Sequence, residues 1–409
     1  MHEDPRSRHA MRFRMVLGGA KQDFSARDMT PGPHVLRVAL ASLVLAGCAS
    51  APAPNSVRES ALRQDETVAD ALLARFDSLR RAQRIPGLAV VILRDTTIVL
   101  ARGLGLADVE RQISVTPETP FNIASVSKPI SAVVALRLAE DGVLDLDRPM
   151  RRYHGFAEFC DAVRAEGGIF FGDYACEGDR LTLRHVLSMT TNGEPGTRFW
   201  YNPPSYSWAS RPMAEVTGRP FSELVDSLVF RPAGMRHAAR IHRGLPLRAD
   251  LAALLALPYH VDSTGRIARS DPPAPQGDGA AGGVIASAMD LAHFDIALSD
   301  GRLLSPEWRA RLWTPTRTPS GATLPYGLGW FLADYKGRRL AWHTGLWEGQ
   351  YSALYLKVLN DSPSERITLI LLANSDGLQW ESRLDEAAIE RSPFATAFLA
   401  AFPKGTTAR

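Results

Sequence analysis

The alternation of apolar and polar positions divides the chain into a helix, a hairpin, a long helical middle and a late group of strands. Val68, Leu72, Phe76 and Leu79 recur at helical spacing, which predicts an amphipathic helix running to Arg84 and stopped by Pro86-Gly87. Leu88–Leu93 and Thr97–Leu100 are β-rich runs around Arg94-Asp95-Thr96 and read as a hairpin. Gly103-Leu104-Gly105 reads as a turn, because Asp108 stands where a dinucleotide loop would need its third glycine. Ile130, Val133, Val134, Leu136 and Leu138 carry a largely apolar helix to Gly142, as expected of a helix buried between subdomains. Residues 131–240 read as helix or loop. Strand-like runs return at Gly327–Leu332, Leu340–His343, Tyr351–Leu356 and Ile367–Ala373. The connections between the last three are too short for crossover helices, so these strands pair antiparallel. A hairpin is not stable alone, so the early one must join them. Trp380, Leu384, Ala387 and Ala388, and then Phe394, Phe398 and Leu399, predict closing helices interrupted at Ser392-Pro393. The expected fold class is α/β (α+β): a mostly antiparallel sheet flanked by helices, with an inserted all-helical subdomain. Residues 67–130 and 241–402 would form a discontinuous α/β subdomain, and 131–240 the helical one.

Ahead of the first helix, the apolar run Val35–Leu45 is too short to span a bilayer and reads as the core of a signal peptide. It ends in Leu45-Ala46-Gly47-Cys48, which resembles the bacterial lipobox. Cys48 is therefore expected to be acylated and to become the first residue of a lipoprotein. Residues 1–28 carry Glu3, Asp4, Asp23 and Asp28, unlike a signal n-region, so Met29 is the expected start and 29–47 the signal peptide. Residues 48–66 are the expected lipidated tether, opening with a Pro/Ala/Ser stretch (Ala49–Ser56) that should be disordered. The chain is thus expected at a bacterial membrane, facing the periplasm or the cell exterior.

Composition adds two exclusions and one covalent bond. The formal charge of +3 comes from the first 47 residues, which hold seven Arg or Lys against four Asp or Glu; the remainder is balanced. Nothing in that balance suits nucleic acid. Histidine and cysteine nowhere take zinc spacing and no H-E-x-x-H occurs, so no metal or cofactor is expected. Besides Cys48 the chain has only Cys160 and Cys176. In an oxidising compartment these should form a disulfide, worth about 3 kcal/mol on the chain-entropy estimate.

The candidate chemistry lies in Phe121-Asn122-Ile123-Ala124-Ser125-Val126-Ser127-Lys128. Residues three apart at the start of a helix share a face, so the Lys128 amine can reach the Ser125 hydroxyl and, if uncharged, take its proton. Burial and a helix N-terminus both disfavour a cation there. Only five lysines (Lys21, Lys128, Lys336, Lys357 and Lys404) stand beside a large excess of arginine, and lysine, unlike arginine, can be deprotonated.

With Tyr201-Asn202-Pro203 in a turn-rich loop and His343-Thr344-Gly345 ending a strand, these residues resemble the three motifs of the class C serine β-lactamase, DD-peptidase and class VIII-type esterase family. Pro86–Val90, Gly142–Asp147, Leu181–Leu187, Gly282-Gly283-Val284 and Tyr326–Trp330 are similar to stretches of that family over nearly all of residues 67–375. The resemblance implies Ser125 as the acylated nucleophile, Lys128 as its base and Tyr201 as the phenol that carries the proton to the leaving group. It also implies an oxyanion hole from the backbone N–H groups of Ser125 and Leu346, with His343, Thr344 and Gly345 against the substrate. A tyrosine beside a charged lysine would be partly ionised. Tyr206 is better read as packing, and Arg184 and His185 as structural. Two departures bear on substrate. Pro203 stands where lactamases carry an asparagine amide, and His343 replaces a lysine suited to a substrate carboxylate. Trp200, Trp342 and Trp347 flank the motifs and either line an apolar pocket or pack. The expected function is a serine hydrolase working through an acyl-enzyme, an esterase or peptidase on a small ester, amide or peptide. A DD-peptidase or β-lactamase is the alternative within that chemistry, and an inactive binding protein on the same fold the alternative outside it.

Overall fold

The computed structural model describes residues 54–403 except 168–169, 177–178, 275, 363–364 and 380–386. The expected signal peptide, Cys48 and the opening of the tether lie outside the described residues, as do Trp380 and Leu384 of the expected closing helix. Helix α1 (Pro54–Ala82) begins well before the position expected from hydrophobic spacing, so residues 54–66 are helical where disorder was expected for the stretch up to Ser56. Arg94 holds it to the sheet, binding both oxygens of Asp65 at 2.8 and 2.7 Å. Those are polar anchors, which an apolar periodicity does not reveal.

The strands are β1 (Gly87–Arg94), β2 (Thr97–Asp108), β3 (Ile113–Ser114), β4 (Pro120–Asn122), β5 (Ala239–Arg240), β6 (Tyr259–Val261), β7 (Ile267–Arg269), β8 (Val284–Ser287), β9 (Phe331–Tyr335), β10 (Arg338–Trp347), β11 (Tyr351–Leu359) and β12 (Ile367–Ala373). Seven of them form one antiparallel sheet in the order β3-β2-β1-β12-β11-β10-β9. The early hairpin does join the late strands, with Leu88 opposite Ala373. Both central strands are buried on both faces, which is why they read as unbroken apolar runs rather than alternating ones. The helix Pro393–Ala401 packs with α1, Phe394 meeting Phe76 at 5.6 Å between ring centroids. The helix Ala288–Ser299 covers β1, β2 and β12.

Two expectations are corrected. Gly103-Leu104-Gly105 is not a turn but part of β2. The glycines are there for close approach, since a Cβ on Gly103 would lie 1.9 Å from the Val115 carbonyl oxygen. Of Gly327–Leu332 only Phe331 and Leu332 belong to a strand. The small sheets β4-β8-β5 and β6-β7 escaped prediction because strands of two to four residues carry no measurable period.

Helices α2 (Ser127–Glu140) and α3 (Phe156–Glu166) open the helical middle, where the regular elements up to β5 are all helical. Most of α2 is buried on every side. Cys160 of α3 is joined to Cys176 by a disulfide, with 5.6 Å between Cα atoms.

Candidate active site

Strand β4 delivers the chain into a single 3-10 turn, Ala124–Val126, that runs directly into α2. Ser125 sits in that turn, partly exposed, while Lys128 on the first turn of α2 is fully buried. A hydrogen bond of 2.8 Å joins Lys128 Nζ to Ser125 Oγ, and Nζ also donates to the Ala281 carbonyl at 3.0 Å. Burial pushes the Lys128 amine well below its ordinary value. A neutral amine has a lone pair, and this distance is within reach for one to accept a hydroxyl proton.

The backbone at Ala124 lies in the left-handed region, with φ +46°. That is a strained conformation for a residue with a Cβ, and its neighbours hold it in place. Asn122 Oδ1 accepts from the Ala124 N–H at 2.9 Å and from the Trp347 indole N–H at 3.1 Å. The buried Asn122 carboxamide thus ties the turn that carries Ser125 to the end of β10.

Strand β10 comes equally close through Gly345. A Cβ there would lie 2.2 Å from the Ile123 carbonyl oxygen and 3.3 Å from the Ala124 Cβ. Leu346, whose N–H is the expected second oxyanion donor, follows immediately on the strand. Gly345→Ala should push β10 off the turn and lower kcat/KM by about two orders of magnitude, the usual cost of losing one such donor. A Gly345→Ala enzyme with wild-type kcat/KM would show that this approach is not needed.

Tyr201 is buried, with its ring stacked on Phe331 at 5.8 Å. The Lys128 amine lies 5.2 Å from the ring centroid. Among the described residues the Tyr201 hydroxyl finds no well-formed hydrogen-bond partner. Burial raises its pKa, and the nearby Ser125 hydroxyl draws it part of the way back. Partial ionisation of Tyr201 by a charged lysine is therefore not what this environment produces. Low polarity penalises both charges, and so favours the neutral amine and the neutral phenol over the ion pair. Tyr206 donates to the Lys128 carbonyl at 3.0 Å and is fully buried, a role in holding α2.

His343 is fully buried, and both its ring nitrogens are engaged. Nδ1 lies 2.7 Å from the Thr344 carbonyl, which can only accept, so Nδ1 carries the hydrogen. Nε2 then accepts from the Tyr326 hydroxyl at 2.9 Å. Burial, and next the charge that Lys128 can carry, push the imidazole well below its ordinary value. It is neutral at physiological pH and offers a substrate neither nitrogen.

The chain from residue 69 to residue 392 matches the family model described as Beta-lactamase. The chain belongs to the beta-lactamase family. It is 25% identical over 343 residues to a penicillin-binding protein of Bacillus subtilis (strain 168), covering 76% of this chain and 73% of that protein. It is 28% identical over 334 residues to the D-aminopeptidase of Gluconobacter oxydans (strain 621H), covering 76% of this chain. The chain spans 58% of that D-aminopeptidase, and 61% of a second Bacillus subtilis relative. The D-amino acid amidase of Ochrobactrum anthropi SV3, solved with L-phenylalanine amide, has the same fold at TM-score 0.59 and 20% identity, covering 84% of this chain and 98% of that one. Within this beta-lactamase family member, three separate segments bring Ser125 and Lys128, Tyr201, and His343 together, with 6.1 Å between the Tyr201 and His343 ring centroids.

Other expected residues take structural roles. Arg184 binds Asp147 through two contacts of 2.7 Å, and the His185 ring lies 3.0 Å from the Thr182 hydroxyl. Trp342 stacks on Phe331 at 5.5 Å, while Trp200 is 39% exposed. The sequence reading assigned no role to Asn122, Tyr326 or the Ala281 carbonyl. Asn122 and Tyr326 stand inside motif stretches, a weak signal of their position. A main-chain carbonyl leaves none.

Proposed function

We propose that this protein is an exported, lipid-anchored serine hydrolase that works through an acyl-enzyme on Ser125. The observation that carries the proposal is the buried Lys128 amine, 2.8 Å from the serine oxygen and shifted towards its neutral form. In the proposed cycle Ser125 Oγ attacks the substrate carbonyl carbon as its proton passes to Lys128. The developing oxyanion is met by the N–H groups of Ser125 and Leu346. Collapse breaks the bond to the leaving group, which takes the proton from Lys128 by way of Tyr201. Water then attacks the ester, the same groups carry its proton, and Ser125 is released.

The favoured substrates are small esters, amides or peptides whose leaving group bears no carboxylate. The D-aminopeptidase and D-amino acid amidase relatives support the amide class. The neutral, fully engaged His343 supports the missing carboxylate contact, because a charged hydrogen bond of that kind contributes about 1.5–3 kcal/mol where it exists. A matched pair of thioesters tests this, one with a free carboxylate on the leaving thiol and the other its methyl ester. The methyl ester should be turned over with a kcat/KM at least equal to that of the acid. A tenfold preference for the acid would favour the DD-peptidase or β-lactamase alternative. Absence of labelling by a fluorophosphonate would favour an inactive binding protein.

A further inference from the structure

Among the described residues no well-formed hydrogen bond holds the Tyr201 hydroxyl, so the phenol is placed chiefly by its ring packing and by the chain on either side of it. The residue after it, Asn202, is completely buried, and its carboxamide is fully used. Oδ1 accepts from the Ser205 N–H at 3.0 Å and so caps the six-residue helix Pro203–Trp208. Nδ2 donates to the Phe170 carbonyl at 2.8 Å and to Asn192 Oδ1 at 3.0 Å. Asn192 in turn donates to the same Phe170 carbonyl at 2.9 Å and to Asp173 at 3.0 Å. On the near side of Tyr201, the Gly193 N–H donates to the Asp173 carbonyl at 2.7 Å, and Arg198 pairs with the Asp173 carboxylate. On the far side, the Ser205 hydroxyl donates to the Tyr174 hydroxyl at 3.0 Å.

Phe170, Asp173 and Tyr174 all lie between Cys160 and Cys176. The segment closed by the disulfide therefore holds the tyrosine loop on both sides of its tyrosine. The carboxamide that Pro203 cannot supply beside Tyr201 stands one residue earlier and is turned towards Phe170 and Asn192. We infer that Asn202 is a positioning residue for Tyr201, and that the loop closed by Cys160–Cys176 is the support it works through. This rests on the reading of Tyr201 as the proton carrier. An opened loop regains conformational freedom, and a displacement of about 1 Å at a reacting group can cost about a hundredfold in rate.

The test is steady-state kinetics on one ester at a temperature well below melting, with near-UV circular dichroism to confirm the fold. Asn202→Ser keeps an oxygen for the cap but loses the link to Phe170. It should lower kcat about tenfold or more with KM within twofold, and opening the bridge with a phosphine should do the same to the wild type. The two losses should not add, because they remove one support. Phosphine should also leave the residual rate of Tyr201→Phe unchanged. Should the reduced wild type keep its kcat within twofold, or reduction slow wild type and Tyr201→Phe by the same factor, the inference is overturned. A Tyr201→Phe enzyme at wild-type rate would instead remove the reading of Tyr201 on which it rests.

Discussion

Ser125→Ala should bring ester turnover down to the uncatalysed background and abolish covalent labelling by a fluorophosphonate. The reason is positional. Among the described residues the Lys128 amine bonds a single hydroxyl, Ser125 Oγ, and its other hydrogen-bond partner is the Ala281 carbonyl. Ser127 Oγ faces the other way and accepts from the Val284 N–H at 3.2 Å. Ser131 donates to the carbonyls of Ser127 and Ala280. Neither is free to replace the nucleophile. Removing the nucleophile of such a unit typically costs on the order of a millionfold in kcat. The measurement is turnover by the purified variant, with mass spectrometry of the Ser125 peptide after labelling; turnover within tenfold of wild type would end the acyl-enzyme mechanism.

Lys128→Met should be nearly as inactive, yet more stable than the wild type at neutral pH. The sign follows from proton binding. In the unfolded chain the amine keeps its proton up to about its ordinary 10.5, whereas burial in the folded state lowers that value well below it. Between the two values the unfolded state binds more protons, so wild-type stability rises with pH through that window, by about 1.4 kcal/mol per unit. Methionine fills similar space without a charge to desolvate. Its stability advantage should therefore shrink as pH climbs towards 10.5. Melting temperatures of both proteins from pH 7 to pH 10 check this, and a constant or growing difference would contradict it. Lys128→Arg is the companion case: it keeps a permanent cation that cannot take the serine proton, and it should be both inactive and less stable.

How much of this could be read from residues alone depended on the kind of signal each feature leaves. The buried strands β1 and β12 announce themselves as apolar runs, and their pairing follows from the lack of room for crossovers. The serine and lysine share one helical turn, so their contact is a local fact. The limits of β2 and α1 were misjudged because close backbone approach at Gly103 and the Arg94–Asp65 anchor depend on partners distant in the chain. The ionisation of Tyr201 was misjudged for a related reason. Its motif neighbour Lys128 is visible in the sequence, but the burial that outweighs that neighbour is a property of the assembled fold. His343 is the same case, since its Tyr326 partner becomes definite only once β10 is laid beside the Tyr326 loop.

The pairing of β1 with β12 places the first long strand and the last side by side at the middle of the sheet. During synthesis β1 leaves the ribosome long before β12 and has no partner on that side until β12 has been made. Contacts between such distant parts of a chain form slowly, so the nascent polypeptide lacks its complete sheet at least until β12 has been made. For a chain that has to be threaded through a translocon before it may fold, as we propose for this one, that delay is useful: the strand order keeps the chain in a state that can still be exported.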